Sequence, residues 1–253
     1  LQAEIPGRPA SVAFVADGQG ARVLAVSEQL IGRRRLGARG FTWCGNLVPF
    51  TTAPAEADAL LPQARRAATV LTRYYGLRGL NGLDCVVARD ADGAPQLWLI
   101  EVNPRFTASM ELAEAAVGRS LFALHVAACE GRLPADLLET TPQGHAAKGV
   151  VYARRMCTMP ATTDWRLRGR SDVPWPGQRI EKGHPVCSVR CAGASRAACL
   201  TGLRRAAAAV YEEIEAPVAG VQPGPAPETG ARVLARTETP AQGPPGPYVE
   251  EVL

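Results

Sequence analysis

The sequence predicts an α+β fold in which helices flank an antiparallel sheet on one side. Short, apolar, β-rich segments occur in pairs separated by a turn, first within 10–27 and again within 83–102, and an amphipathic helix pattern follows each pair. Strands and helices do not alternate one by one, as they would in a doubly wound parallel sheet. The pairing therefore favours antiparallel strands.

The first predicted strands and helix have turn-forming or capping residues at their ends. Residues 10–16 and 21–27 lie on either side of a Gly-containing turn and predict a hairpin. Residues 54–75 carry an apolar stripe at helical spacing, with Pro54 in the first turn and Gly76 just past the end. These signals are local, so they predict where the helix begins and ends.

The later elements follow the same rules. The predicted strands and helices lie at 83–88, 96–102, 107–117, 120–130, 147–153, 185–190 and 196–214. We divide the chain into a main domain at 1–145, a small mixed α/β unit at 146–215, and a tail at 216–253. The tail is dense in Pro and Gly and lacks apolar periodicity, which predicts disorder.

The charge pattern argues against a nucleic-acid partner. The net charge is +4, and only two of the 28 basic residues are lysines. The arginines are scattered apart from the run Arg33 to Arg35, whereas a nucleic-acid-binding face usually clusters them with aromatic residues. We therefore expect no nucleic-acid partner.

Cysteine usage and hydropathy indicate a cytoplasmic protein that does not enter a membrane. None of the seven cysteines forms a CxxC pair, and Cys187 and Cys191 near His184 lack a second ligand pair for zinc. Cys85 and others lie in apolar runs, as buried reduced thiols do. No apolar run could span a bilayer and no signal peptide is visible. The chain begins with Leu1, so the question of a targeting signal upstream is left open.

The second predicted hairpin places chemically active residues together. Asp92-Gly93 is a strong two-residue turn signal, and a turn there sets Asp84 opposite Glu101. Their Cβ atoms are then about 5 Å apart on one face of the sheet. Asn103 points to the same face, two residues beyond Glu101.

Facing carboxylates repel each other unless a cation lies between them. Magnesium suits the pair because it is commonly shared between carboxylates and substrate phosphates, and the Asn103 oxygen can complete the protein's share. A solvated pair at a sheet edge is the alternative that spacing alone leaves open. Glycoside cleavage fits less well, because its carboxylates stand apart across a sugar cleft.

The residues resemble a known family. Asp84, followed by Glu101-Val102-Asn103-Pro104-Arg105 at a strand end, is similar to the metal-binding signature of the ATP-grasp superfamily, of the carboxylate–amine ligase type. The segments 4–7, 27–32 and 45–49 resemble further family blocks. Residues 107–112 are similar to tyramine–glutamate ligases. The ATP-binding domains of carbamoyl phosphate synthase large subunits also belong to this superfamily.

The resemblance implies roles for individual residues. Asp84 and Glu101 would bridge Mg²⁺ (or Mn²⁺) to the phosphates of ATP, with Asn103 as a further metal ligand. Arg105 would be the catalytic arginine that holds the phosphates or an acyl phosphate. Gln2, Glu4 and Gln29 would contact the nucleotide. The implied fold is the C-terminal subdomain of an ATP-grasp domain.

The implied reaction joins a small carboxylate to a small amine through an acyl phosphate and releases ADP. ATP-grasp enzymes carry a small domain, a Gly-rich loop and phosphate-binding lysines upstream of the segment matched here. This chain shows no such loop, and both Lys148 and Lys182 follow the metal motif. We therefore expect an N-terminally incomplete ATP site, completed by a separate N-terminal half. The alternative function is a non-catalytic remnant or subunit that binds a nucleotide or a partner protein.

Overall fold

The computed structural model describes residues 3–133 and 144–216. The strands in that part are β1 Arg8–Asp17, β2 Ala21–Ile31, β3 Trp43–Val48, β4 Arg78–Arg89, β5 Pro95–Asn103, β6 His145–Tyr152, β7 Cys157–Thr158, β8 Arg170–Ser171, β9 Arg179–Ile180 and β10 Pro185–Gly193. The α-helices are α1 Pro54–Tyr75, α2 Met110–Val117, α3 Leu121–Cys129 and α4 Arg196–Glu215, and a 3₁₀ turn spans Arg34–Leu36.

Eight strands form one antiparallel sheet in the order β5-β4-β1-β2-β3-β6-β10-β8, and β7 pairs with β9. The sheet passes from β3 to β6 without interruption, so it joins segments on both sides of the boundary that we placed at residue 145. That boundary stays a prediction. The predicted tail from residue 216 onward lies outside the described residues, apart from Ala216.

Helices cover both faces of this sheet. Along β1, Val12 and Phe14 pack under α1, whereas Ala13 and Val15 pack under α2 and α3. The helix α4 covers β6 and β10 in a further core around Trp165. The prediction of an antiparallel sheet with flanking helices is confirmed, but the expectation that the helices lie on one side is wrong. Both alternating faces of β1 are apolar, so both need cover.

The local predictions for the first half hold closely. The first hairpin is β1–β2, and α1 begins at Pro54 and ends at Tyr75, with Gly76 in the left-handed conformation at φ 63°. The helix α2 begins at Met110, three residues later than predicted, because residues 107–109 form a turn first. The strand β3 and the short strands β7, β8 and β9 were not predicted.

The β4–β5 hairpin differs from prediction in its turn. The strands are joined by residues 90–94 rather than by a two-residue turn at Asp92-Gly93, and Arg89 pairs with Pro95. A register shift follows, so Cys85 pairs with Leu99 while Asp84 pairs with Glu101. The extra residue in the turn is thus compensated by a bulge at Ile100, and the predicted facing of Asp84 and Glu101 is confirmed.

Within the described ranges, no single helix is both long and apolar enough to cross a membrane. The helices α2 and α3 reach that length and composition only together, with a bend of 97° between them.

Candidate active site

A row of polar side chains crosses one face of the sheet from strand to strand. Strand pairing sets Glu101 opposite Asp84, Asp84 opposite Ser11, and Ser11 opposite Ser27. Directly paired residues of antiparallel strands point to the same face, so these side chains form one continuous row.

The row continues through the second half of the sheet. Gln29 pairs with Asn46, Asn46 pairs with Lys148, and Lys148 pairs with Arg190. Asn46 is 1% exposed and Lys148 is 5% exposed, so the middle of this part of the row is buried despite its polarity. Buried polar groups at this density must satisfy one another.

Asp84 is the acceptor at the centre of the first half. Gln29 Nε2 donates to Asp84 Oδ1 at 2.7 Å, and Ser11 Oγ donates to the same oxygen at 3.3 Å. Asn103 Nδ2 donates to Asp84 Oδ2 at 3.0 Å. Three donors fix the carboxylate in one orientation, while its roughly four acceptor positions leave one unoccupied.

Glu101 contrasts with its neighbour across the strands. Its side chain is exposed and, among the described residues, accepts no hydrogen bond and forms no ion pair. Arg105 donates to Asn103 Oδ1 at 3.1 Å, so Asn103 links the arginine to Asp84. One fixed carboxylate, one free carboxylate and one guanidinium therefore lie at the end of β5.

These groups border an open pocket of about 350 Å³. Its lining includes five residues predicted from the sequence, namely Gln29, Asp84, Glu101, Asn103 and Arg105. Ser11, Trp43 and Asn46 also line it, together with the turn at 107–109. The pocket thus brings together residues from all of the first five strands.

A second layer of hydrogen bonds supports the pocket floor. Asn46 Nδ2 donates to Ser27 Oγ at 2.9 Å and Trp43 Nε1 donates to Asn46 Oδ1 at 2.9 Å. Sequence reasoning gave no role to Ser11 or Ser27. The available signal was a polar residue at an alternating position within an apolar strand.

Beyond the pocket, Glu111 on α2 bridges the two cations at the far end of the row. Lys148 Nζ donates to Glu111 Oε1 at 2.8 Å and Arg190 donates to Glu111 Oε2 at 2.6 Å. Asp172 lies 3.9 Å from Lys148 and accepts from Ser188 at 2.5 Å. This paired cluster ties α2 to β6 and β10, and sequence reasoning missed it.

One other predicted nucleotide contact is not brought to the pocket. Glu4 is exposed ahead of β1 and is absent from the lining, and Gln2 lies outside the described residues. Their roles stay predictions. His125 accepts from the Leu80 backbone N–H at 3.1 Å.

The donor set suits a hard cation. Glu101 has no partner among residues 3–133 and 144–216, Asp84 has one acceptor position beyond its three described donors, and the Asn103 oxygen keeps a lone pair beside its bond from Arg105. All are oxygen ligands of the kind that magnesium takes. In the described part of the chain, no three His, Cys, Asp or Glu side chains cluster as a metal site. The set proposed here differs from such a cluster because it consists of two carboxylates and one amide.

Comparison with known families identifies this architecture. Residues 1–109 match the family model described as an ATP-grasp domain. This part of the chain is similar in sequence to that domain. The matched segment contains β1 to β5 and every predicted ligand of the pocket. No curated protein sequence matches the chain.

Solved structures of low sequence identity share the fold of this chain. The biotin carboxylase domain of a single-chain bacterial carboxylase is 19% identical, with a TM-score of 0.56 over 85% of this chain and 49% of that one. The L-amino acid ligase from Bacillus licheniformis is 14% identical, with a TM-score of 0.58 over 80% and 50%.

A third structure is N5-carboxyaminoimidazole synthase from Aspergillus clavatus, in complex with ADP and 5-aminoimidazole ribonucleotide. It is 12% identical, with a TM-score of 0.55 over 81% of this chain and 52% of that one. The chain therefore spans about half the length of these three structures.

Proposed function

We propose that the protein is an ATP- and magnesium-dependent ligase that joins a carboxylate to an amine through an acyl phosphate and forms ADP. The observation that carries this proposal is the pocket at the end of β5, where Asp84 faces Glu101 and Asn103 connects Asp84 to Arg105. The ATP-grasp family match and the fold likeness to an L-amino acid ligase support it.

The residues present would hold the metal through Glu101, Asp84 and Asn103. The three hydrogen bonds on Asp84 keep its remaining lone pair aimed in one direction, which lowers the reorganisation needed on binding. Magnesium, when bound, supplies charge neutralisation at the phosphate oxygens. The Arg105 guanidinium would donate two parallel hydrogen bonds to a phosphate or a carboxylate.

In the proposed reaction a substrate carboxylate oxygen attacks the γ-phosphorus of ATP, and ADP leaves. An amine then attacks the acyl carbon, phosphate departs with the bonding electrons, and the amine loses a proton. The chain's own contribution is positioning and charge stabilisation, as in other phosphoryl transfers. Glutamate-like acids are the first candidates, because the resemblance at 107–112 points to amino-acid ligases.

The test uses the protein as its gene encodes it, including any segment upstream of residue 1. Candidate acids and amines are incubated with ATP and Mg²⁺, and the nucleotide product and the amide are measured. We expect ADP and phosphate in amounts equal to the amide. Arg105→Gln should lower kcat roughly 100-fold, as loss of a charge-stabilising donor does, whereas Arg22→Gln on the exposed part of β2 should not.

Formation of AMP would contradict the acyl-phosphate route. Magnesium-dependent nucleotide binding without turnover on any acid and amine pair would favour the alternative function, a non-catalytic ATP-grasp protein. If kcat falls equally in Arg105→Gln and Arg22→Gln, Arg105 does not have the proposed role.

A further inference from the structure

A second pocket, of about 310 Å³, lies away from the proposed ligase site. It is formed by the segment after β2, the end of β6 and the turn before β10, and it shares no lining residue with the first pocket. Its basic lining residues are Arg34, Arg39, Arg154 and Lys182, and no acidic residue of the described chain lines it.

The walls of this basic pocket are fixed by backbone contacts. The Gly183 N–H donates to the Ala153 carbonyl at 2.8 Å, and the Ala153 N–H donates to the His184 carbonyl at 2.9 Å. Gly37 has φ 81°, and a Cβ there would lie 2.3 Å from the Tyr152 carbonyl oxygen. The segment after β2 can therefore approach β6 this closely only with glycine at that position.

Three of the four cations have no anionic partner. Arg34, Arg39 and Lys182 form no ion pair with any residue that the structure describes. Two acids on the flanking segments pair with other arginines, and the first of them, Glu28, pairs with Arg33 at 3.4 Å. Glu181 similarly pairs with Arg179 at 3.3 Å.

The fourth cation is held in place without being neutralised. The Arg154 guanidinium lies 3.6 Å from the ring centroid of Tyr211 and donates to the Arg35 carbonyl at 3.4 Å. Burial raises the pKa of Tyr211 to about 12, so its hydroxyl stays neutral at physiological pH. The ring and the carbonyl orient Arg154, and its full charge remains.

We infer that this basic pocket binds a small anion that carries at least two phosphate or carboxylate groups. Four like charges around one concavity repel one another, and a multivalent anion removes that repulsion while receiving several charge-assisted hydrogen bonds. The volume suits a small molecule, at the lower end of the usual range for ligand sites.

The experiment is isothermal titration of the full chain with inorganic pyrophosphate and, separately, with citrate. EDTA is present, so that metal-dependent binding at Asp84 and Glu101 does not contribute. The test variant is the double substitution Arg34→Gln with Lys182→Gln. Arg205→Gln, an exposed arginine on α4 with no described partner, is the matched control, and Arg105→Gln reports on the first pocket.

We expect saturable one-to-one binding of at least one probe, weakened tenfold or more in the double variant and unchanged in both controls. Preference for pyrophosphate or for citrate then identifies the phosphate or the carboxylate class. The inference is overturned if neither probe saturates, if Arg205→Gln weakens binding as much as the double variant, or if Arg105→Gln abolishes it. Unchanged melting temperatures of all variants ensure that a loss reflects the pocket.

Discussion

Replacing Glu101 with glutamine separates the proposed metal site from the stability of the fold. Glu101 is exposed and has no described hydrogen-bond or ion-pair partner, so the substitution removes no protein contact. Surface changes of this kind usually alter the free energy of unfolding by less than about 0.5 kcal/mol. The same substitution removes one of the two carboxylate charges available to the cation.

The size of the binding loss follows from the contacts that remain. Asp84 and Asn103 keep their places, because their mutual hydrogen bond and the bond from Gln29 do not involve Glu101. One charge-assisted contact is lost, worth about 1.5–3 kcal/mol. Magnesium-dependent nucleotide affinity should therefore fall by roughly 10- to 150-fold, as measured by titration of ADP with and without Mg²⁺.

Asp92→Asn is the matched control, because it removes the same charge from the far end of the same hairpin. It should leave both nucleotide affinity and melting temperature unchanged. If Glu101→Gln retains full magnesium-dependent affinity while remaining folded, the facing carboxylates do not hold the metal. A melting temperature lowered by many degrees would show instead that Glu101 has a structural partner.

Three further substitutions test the surroundings. Gln29→Leu removes the 2.7 Å hydrogen bond to Asp84 and should cost about 1–2 kcal/mol in urea unfolding; no change would mean that the bond is absent in solution. Gly37→Ala should cost at least about 1 kcal/mol, because its φ is 81° and a backbone oxygen blocks the Cβ. Hydrogen bonding from Arg170 lowers the pKa of Glu213 from its ordinary 4.5, so its contribution to stability is present above that value and lost as pH falls through the lowered pKa. The melting temperature should therefore fall less between pH 6 and pH 3 in Glu213→Gln than in the unsubstituted protein.

Elements with recognisable residues at their ends could be predicted from the sequence alone. The bounds of α1 follow from Pro54 and Gly76, because a proline tolerates the first turn and a glycine tolerates the left-handed conformation after the last. The hairpin register predicted that Asp84, Glu101 and Asn103 share one face of the sheet, whereas Gln29 and the role of Arg105 came from a family resemblance. Spacing alone left the pairing of Asp84 with Glu101 open to a simple solvated pair.

The alignment of the strands across the whole sheet could not be predicted from local patterns and follows from the folded chain. The facing of Asp84 and Glu101 depends on two offsetting irregularities, the longer turn and the bulge at Ile100, neither of which the alternation pattern displays. The placement of Lys148 beside Asn46 depends on β6 pairing with β3. Pairing between strands distant in sequence is selected by packing of the whole chain, and local propensities of either strand do not encode it.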